Sequence, residues 1–231
     1  MTTNRIVIAA LSGQSLALSP IAAGDVVHRY DDGISNVTFG PPSSFAEFGD
    51  IDMLWGNYFF TEGEAELINQ VTFGLGELSA DPTVSIWIFD DPDNDADPTN
   101  ATPVFSTTAI GEDLGFDFNE VSIDPTLVSG GFFVAIGHLA ELTGAPDNPD
   151  YPSPGRFDPD GRADRSWFFY DSDIPEDDLA SSGFVQRMDG PFVPIQGAFA
   201  IRAIGTPVPT PATCALVGCG AVWCGRRRRR I

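Results

Sequence analysis

The sequence predicts an all-β fold, an antiparallel jelly-roll-like β-sandwich, with a short segment of different character at each end. Three observations support this prediction. Short segments rich in Val, Ile and aromatic residues recur, clusters of Gly, Pro, Asp and Asn separate them, and long helical stretches are missing. Many short strands without interposed helices are typical of sandwiches and barrels. The predicted strands lie near Val26–Tyr30, Met53–Phe60, Ile68–Leu75, Val84–Phe89, Val104–Ala109, Phe116–Ile123, Phe132–His138, Trp167–Asp171 and Ala198–Ala203.

Two of these strands are expected in the middle of a sheet. The segments Val84–Phe89 and Gly131–Gly137 are apolar throughout, which is typical of strands with neighbours on both sides. The sandwich is expected to occupy residues 25–205, a length that suffices for one domain with one core.

The charge of this central domain excludes some partners. All 33 acidic residues fall within residues 25–205, against six arginines and no lysine, so the formal charge there is −27. Such a field repels nucleic-acid phosphates and anionic membrane surfaces. The composition therefore predicts no nucleic-acid partner, and it favours divalent cations or simple solubility in salt.

The N-terminal segment, residues 1–24, is predicted to be a signal peptide. Arg5 precedes an apolar run that begins at Ile6, and Ala22 and Gly24 are small residues at the spacing of a cleavage site. The mature protein would then begin near Asp25. An alternative is an N-terminal element of the domain, but the composition shifts abruptly at Asp25.

The C-terminal segment, residues 206–231, is predicted to be a sorting signal rather than part of the folded domain. Prolines at every second position favour an extended linker, and an apolar stretch of 14 residues follows from Ala212 to Gly225. The chain closes on five consecutive arginines, which the positive-inside bias would keep at the cytoplasmic face. A spanning helix needs about 20 residues, so a weak anchor and a plain tail remain alternatives to a short hydrophobic membrane helix. All three cysteines lie here, so no disulfide is expected in the domain.

The tail resembles the PEP-CTERM sorting signal of exopolysaccharide-producing Gram-negative bacteria. The motif position holds Pro209, Thr210 and Pro211, with Thr where Glu is usual, and the basic end is Arg226, Arg227, Arg228, Arg229 and Arg230. The resemblance implies an exosortase-like processing enzyme as partner, transient anchoring in the inner membrane, and delivery to the cell envelope, surface or exterior. The central domain also looks like exported bacterial β-sandwiches with Leu54-Trp55-Gly56 and Gly130-Gly131-Phe132-Phe133-Val134 segments, a type without assigned chemistry.

One acidic segment is a candidate calcium site. Asp91, Asp93, Asp95 and Asp97 alternate along a predicted loop, and carboxylates this dense repel one another unless a cation neutralises them. The segment is not an EF-hand loop, because Ala96 replaces its glycine and Thr102 its terminal glutamate. A solvated acidic loop is the alternative interpretation.

Aromatic residues give a weaker hint of ligand binding. Tyr151 and Phe157 fall in a long acidic loop, flanked by aspartates, and are predicted to be exposed and suited to a hydroxyl-rich ligand. Trp55, Trp87 and Trp167 lie in predicted strands, where core packing is a more common role than a sugar-stacking platform.

No motif for catalysis is present. His28 and His138 have no metal-binding spacing, and no nucleophile-elbow motif occurs. The sequence therefore predicts a non-enzymatic, exported protein of the cell envelope or extracellular matrix that associates with exopolysaccharide. A calcium-dependent carbohydrate-binding module is the first alternative. A glycan-active hydrolase is the second, since the separation of paired carboxylates is set by the fold.

Overall fold

The computed structural model describes residues 24–33, 37–39, 51–76, 83–112, 114–115, 117–140, 155–190 and 197–209. The predicted signal peptide, except Gly24, and the tail from Thr210 onward lie outside them. The described chain forms thirteen strands: β1 Val26–His28, β2 Val37–Phe39, β3 Ile51–Phe60, β4 Glu66–Phe73, β5 Thr83–Asp91, β6 Thr102–Ile110, β7 Asn119–Val128, β8 Gly131–Ala140, β9 Gly155–Asp158, β10 Ser166–Asp171, β11 Phe184–Arg187, β12 Ala198–Phe199 and β13 Ile201–Pro207. Three single 3₁₀ turns occur at Pro98–Asn100, Ala163–Arg165 and Leu179–Ser181.

The strands form three antiparallel sheets. The six-stranded sheet has the order β11-β10-β3-β8-β5-β6, the four-stranded sheet β1-β13-β4-β7, and a small sheet β12-β9-β2. The long central strands β3 and β8 pair over ten residues, from Ile51 opposite Ala140 to Phe60 opposite Gly131. Both β5 and β8 have a neighbour on each side, which confirms the prediction that these apolar strands are central.

The main core lies between the two larger sheets. Alternate side chains of the central strands point to the same face, and the set Met53, Trp55, Ile86, Val134 and Ile136 is buried there. It packs with residues of the four-stranded sheet that include Val71, Phe73 and Ile201. The prediction of an all-β antiparallel sandwich is thus confirmed, while the jelly-roll-like connection of its strands stays a prediction.

A second, smaller core covers part of the opposite face of the six-stranded sheet. The segments that follow β5 and β10 fold back over this outer face, and their 3₁₀ turns contact each other. They enclose Leu54, Tyr58, Phe89, Ala101, Phe133, Ala135, Phe169, Ile174 and Leu179, with Trp87 and Trp167 at the margin. Among the described residues, this covering extends over only part of the outer face.

The nine predicted strands are all present, although the one predicted at Ala198–Ala203 is divided into β12 and β13, and three short strands were not predicted. These are β2, β9 and β11, each only three or four residues long. Strand β9 contains Arg156 and Asp158, whose polarity indicates a loop in sequence. Arg156 is nevertheless buried, and its Nε donates to the Leu75 carbonyl at 2.6 Å.

The prediction that Phe157 is an exposed aromatic is wrong. Phe157 lies in β9, is 1% exposed, and packs edge-on against Phe199 with ring centroids 6.0 Å apart. The long acidic segment is therefore not all loop, because part of it adds a strand to the small sheet. Tyr151 lies outside the described residues.

The sandwich extends slightly beyond the predicted end at Gly205. Strand β13 continues to Pro207, which lies opposite Glu66, and the Val208 amide donates to the Ala65 carbonyl. Proline has no backbone N–H to donate to a neighbouring strand. Pro207 is tolerated because the pairing of β13 with β1 ends at Gly205, so no hydrogen bond to β1 is lost at position 207. Within the described ranges, no helix is long and apolar enough to cross a membrane.

Candidate functional site

The structure brings three of the four predicted metal-site aspartates together. Asp91, Asp93 and Asp95 each offer a carboxylate oxygen, and these oxygens all lie within 4.8 Å of one another. The loop reaches this shape through left-handed backbone at Asn94 (φ 59°) and Ala96 (φ 68°), which turns alternate side chains toward one point. Among the described residues this is the one such group of His, Cys, Asp or Glu.

Asp97 does not join this group, contrary to the prediction. It precedes the 3₁₀ turn at Pro98–Asn100, and its Oδ1 accepts from the Thr99 amide at 3.0 Å and the Thr99 hydroxyl at 2.7 Å. An aspartate at this position satisfies donors that the turn leaves unpaired, so Asp97 has a structural role.

Asp91 is the anchor of the group. It is 0% exposed and accepts from the Tyr58 hydroxyl, which reaches it from β3 across Gly131. A side chain at position 131 would occupy the space of that hydroxyl. Burial raises the pKa of the Asp91 carboxyl, although the Tyr58 hydrogen bond opposes the shift. A buried carboxylate beside two others is the environment that a hard cation such as Ca²⁺ would relieve, with backbone carbonyls and water completing six to eight oxygens.

A groove of about 220 Å³ lies on the open part of the outer face. Strands β3, β8, β5 and β6 form its base, and the segment after β10 forms one side. Its described lining residues are Asp52, Met53, Leu54, Thr83, Ser85, Trp87, Thr108, Gly137, His138, Ile174 and Glu176. The groove therefore combines one indole, three hydroxyls and two carboxylates over a partly apolar base.

Gly137 makes room for a polar group in this groove. It lies between Leu54 of β3 and Ser85 of β5 in the sheet register. A Cβ at this position would collide with the Ser85 hydroxyl. The missing side chain therefore lets that hydroxyl lie over the middle of the sheet, within the lining of the groove.

The polar groups of the groove are incompletely paired. The Trp87 indole nitrogen and the His138 Nδ1 are buried with no hydrogen-bond partner among the described residues. Among the described residues, Asp52 accepts a long hydrogen bond, with its carboxylate oxygen 3.4 Å from the Ile174 amide nitrogen. Burial raises the pKa of Asp52, and the nearby Asp173 and Asp171 carboxylates add to the shift, while the Ile174 amide and His138 oppose it. Burial also lowers the pKa of His138, so it disfavours the charged form of both groups.

Sequence reasoning did not identify Asp52, Ser85, Thr108 and Glu176 as site residues. The signal that points to the groove is the alternation of Thr83, Ser85 and Trp87 with the buried Val84, Ile86 and Ile88. This period of two marks a strand with one face outside the main core. Trp55 occupies the opposite face and is 3% exposed, so core packing is confirmed for that tryptophan.

His28 is engaged elsewhere. Its Nε2 lies 2.6 Å from Glu66 Oε2, and both side chains are buried at the edge of the sandwich where β1, β13 and β4 meet. Glu66 also accepts from the Glu62 amide at 2.5 Å. This pair links strands β1 and β4, which lie on either side of β13.

Comparison with known proteins finds a distant structural similarity. No family model and no curated protein matches the chain. Among solved structures, the clostridial cysteine protease Cwp84 after propeptide cleavage is similar at 14% identity and a TM-score of 0.46, over 80% of this chain and 40% of that one. The cysteine protease and lectin-like domains of Cwp84, a surface layer associated protein of Clostridium difficile, are similar at 15% identity and a TM-score of 0.38, over 68% and 32%. This chain thus spans well under half of either structure, and likenesses this distant assign it no chemistry.

Proposed function

We propose that the protein is an exported, non-enzymatic component of the cell envelope or extracellular matrix, and that its sandwich binds exopolysaccharide in the outer-face groove. The observation that carries this proposal is the open sheet face on which Trp87 adjoins Ser85, Thr83 and Thr108. The C–H faces of a pyranose ring pack on an indole, and its hydroxyls exchange hydrogen bonds with hydroxyl and carboxylate side chains. A sugar ring is thus a suitable ligand for this mixture of groups.

The shape of the groove supports a chain-like ligand. It runs over four strands and is open to solvent, and Thr108 and Thr83 at its β5–β6 side are exposed. A polysaccharide segment enters such a groove from the side without requiring a deep pocket for a chain end. The partly exposed Trp87 indole supplies the apolar contact that binding sites combine with a few polar groups.

The binding experiment compares two tryptophans on the same sheet face. Trp87→Ala in the full chain should reduce retention on an immobilised polysaccharide at least tenfold, because it removes the apolar wall of the groove. Trp167→Ala is the matched control, since Trp167 is also partly buried on the outer face but does not line the groove. Equal losses in the two variants, with folding verified by circular dichroism, would contradict the proposal.

Delivery to the envelope is proposed from the tail. An exosortase-like enzyme would process the segment around Pro209-Thr210-Pro211, after the apolar stretch has engaged the membrane and the arginines have stayed at the cytoplasmic face. Deletion of residues 210–231 keeps β13 intact and should shift the protein from the envelope fraction to the soluble exported fraction of the native host. Identical fractionation of the truncated and full-length proteins would contradict this part of the proposal.

A calcium-dependent carbohydrate-binding module is the second candidate, favoured by the convergence of Asp91, Asp93 and Asp95. In that case retention of polysaccharide by the wild-type chain falls after chelation and returns with added Ca²⁺. The third candidate, a glycan-active hydrolase, rests on Asp52 and Glu176 lining one groove. Release of new reducing ends from a bound polysaccharide, lost in Glu176→Gln, would replace the non-enzymatic proposal with that one.

A further inference from the structure

We infer that the groove selects an amino sugar, a hexosamine unit with a free protonated amine, over neutral and uronic acid sugars. The inference rests on the proposed function and names the class of polysaccharide that the site takes. It follows from the charged side chains that line the groove and from the shortage of hydrogen-bond donors and opposite charges beside them among the described residues.

Two carboxylates lie in the lining of the groove, and no arginine is among the described lining residues. The carboxylates belong to Asp52 and Glu176, which are both partly buried. The described arginines near the outer face are committed elsewhere. Arg187, for example, lies 2.5 Å from Asp189 and over the Trp167 ring.

The one titratable base in the lining does not neutralise Asp52. Burial lowers the pKa of His138, so its imidazole is uncharged at neutral pH. Within the described part of the chain, the backbone donor to Asp52 is the Ile174 amide, at 3.4 Å. An ammonium group has three donors and a full charge, so it provides what this carboxylate lacks in the folded protein.

The same arrangement disfavours the other classes of sugar. A uronic acid would place a carboxylate beside Asp52 and Glu176, within a domain whose formal charge is −27. A neutral sugar avoids this repulsion, and its hydroxyls can donate to the carboxylates, but it does not bring the opposite charge that an ammonium group provides. The expected order of affinity is therefore amino sugar, neutral sugar, uronic acid.

The experiment measures binding of three trisaccharides to the full chain at pH 7 and 150 mM NaCl by titration calorimetry. The probes are a glucosamine trimer, its fully N-acetylated counterpart and a uronic acid trimer. We expect the glucosamine trimer to bind about tenfold more tightly than the acetylated one, and the uronic acid trimer to give no heat. Moderate salt and short probes limit the general attraction between an acidic protein and any polycation.

Two charge-matched variants isolate the groove. Asp52→Asn should reduce the preference for the glucosamine trimer over the acetylated trimer to about twofold or less. Asp124→Asn removes the same charge from an exposed position of β7 in the other sheet and should retain the full preference. Glu176→Gln provides a second groove variant, since Glu176 lies in a surface segment.

The outcomes separate the two proposals. Equal binding of the amine and acetylated trimers, both lost in Trp87→Ala, would overturn the amino sugar inference and leave the groove as a glycan site. Equal loss of preference in Asp52→Asn and Asp124→Asn would assign the preference to bulk charge and also overturn it. No binding of any trimer would overturn both.

Discussion

The inner and outer faces of the six-stranded sheet differ in how they are covered, although alternate residues of the same strands build both. On β5, Val84, Ile86 and Ile88 are fully buried against the four-stranded sheet, whereas Thr83, Ser85 and Trp87 line the outer groove. Among the described residues, the inner face is covered by a whole sheet and part of the outer face by two loops. The largest contributions to stability are therefore expected from the inner face.

Adjacent residues of β5 give the largest expected contrast. Ile86→Ala should lower the free energy of unfolding by about 2–5 kcal/mol, because it leaves a cavity in the main core. Ser85→Ala, one residue away on the outer face, should change it by less than about 0.5 kcal/mol. Urea denaturation of both variants checks this. Similar losses would mean that the outer face is as tightly packed as the inner one.

The fold was largely predictable because its strands carry strong local signals. The apolar runs of β5 and β8 and the turn residues between strands are local features, and both strands are central as predicted. Strand β9 could not be predicted, because burial of Arg156 and Phe157 depends on partners in β2 and β12 that are distant in sequence.

The site was predictable only in part. The alternating aspartates converge because one short loop has left-handed backbone at Asn94 and Ala96. Asp97 falls outside the group because its side chain accepts hydrogen bonds from the turn at Pro98–Asn100. The groove combines Asp52, Ser85, Gly137 and Glu176 from separate segments. Their proximity is a property of the sheet register, which no local pattern in the sequence specifies.

The covered part of the outer face is expected to respond to calcium. If Ca²⁺ binds Asp91, Asp93 and Asp95 in the folded state only, Ca²⁺ at a hundred times its dissociation constant should stabilise the protein by about 2.7 kcal/mol. The Asp93→Asn, Asp95→Asn double variant should lose this response in thermal denaturation. Asp97→Asn should keep it, because Asp97 lies outside the group.

The response should also depend on pH. Burial raises the pKa of Asp91, so protonation stabilises the folded state, and this contribution is lost as the pH rises through the folded-state pKa. The cation should therefore stabilise most above that pKa and progressively less below it. A wild-type melting temperature that does not change with Ca²⁺ at neutral pH would leave the solvated acidic loop as the better interpretation.

A substitution in the open part of the outer face is expected to give the smallest change in the free energy of unfolding, and the sign of that change is what tests the comparison. Burial raises the pKa of Asp52, because it makes the charged form of this carboxyl less favourable in the folded protein. Asp52→Asn should therefore stabilise the folded protein once the pH exceeds the folded-state pKa, by no more than about 1 kcal/mol because solvent screens this partly exposed group. The raised pKa means that the stabilisation from protonating Asp52 is complete below the unfolded-state pKa and is lost as the pH rises through the folded-state pKa. The advantage of the variant should consequently be absent near pH 3 and appear between these two pKa values. Thermal denaturation of wild type, Asp52→Asn and Asp124→Asn across this range tests the prediction, with the exposed Asp124 position as control.

A gain in stability that accompanies a loss of amine preference would mark Asp52 as a residue kept for binding at a cost in stability. A destabilised Asp52→Asn at pH 7 would instead show that the carboxylate is already paired in the folded protein, and the groove would then lack the open charge that separates it from the closed inner face.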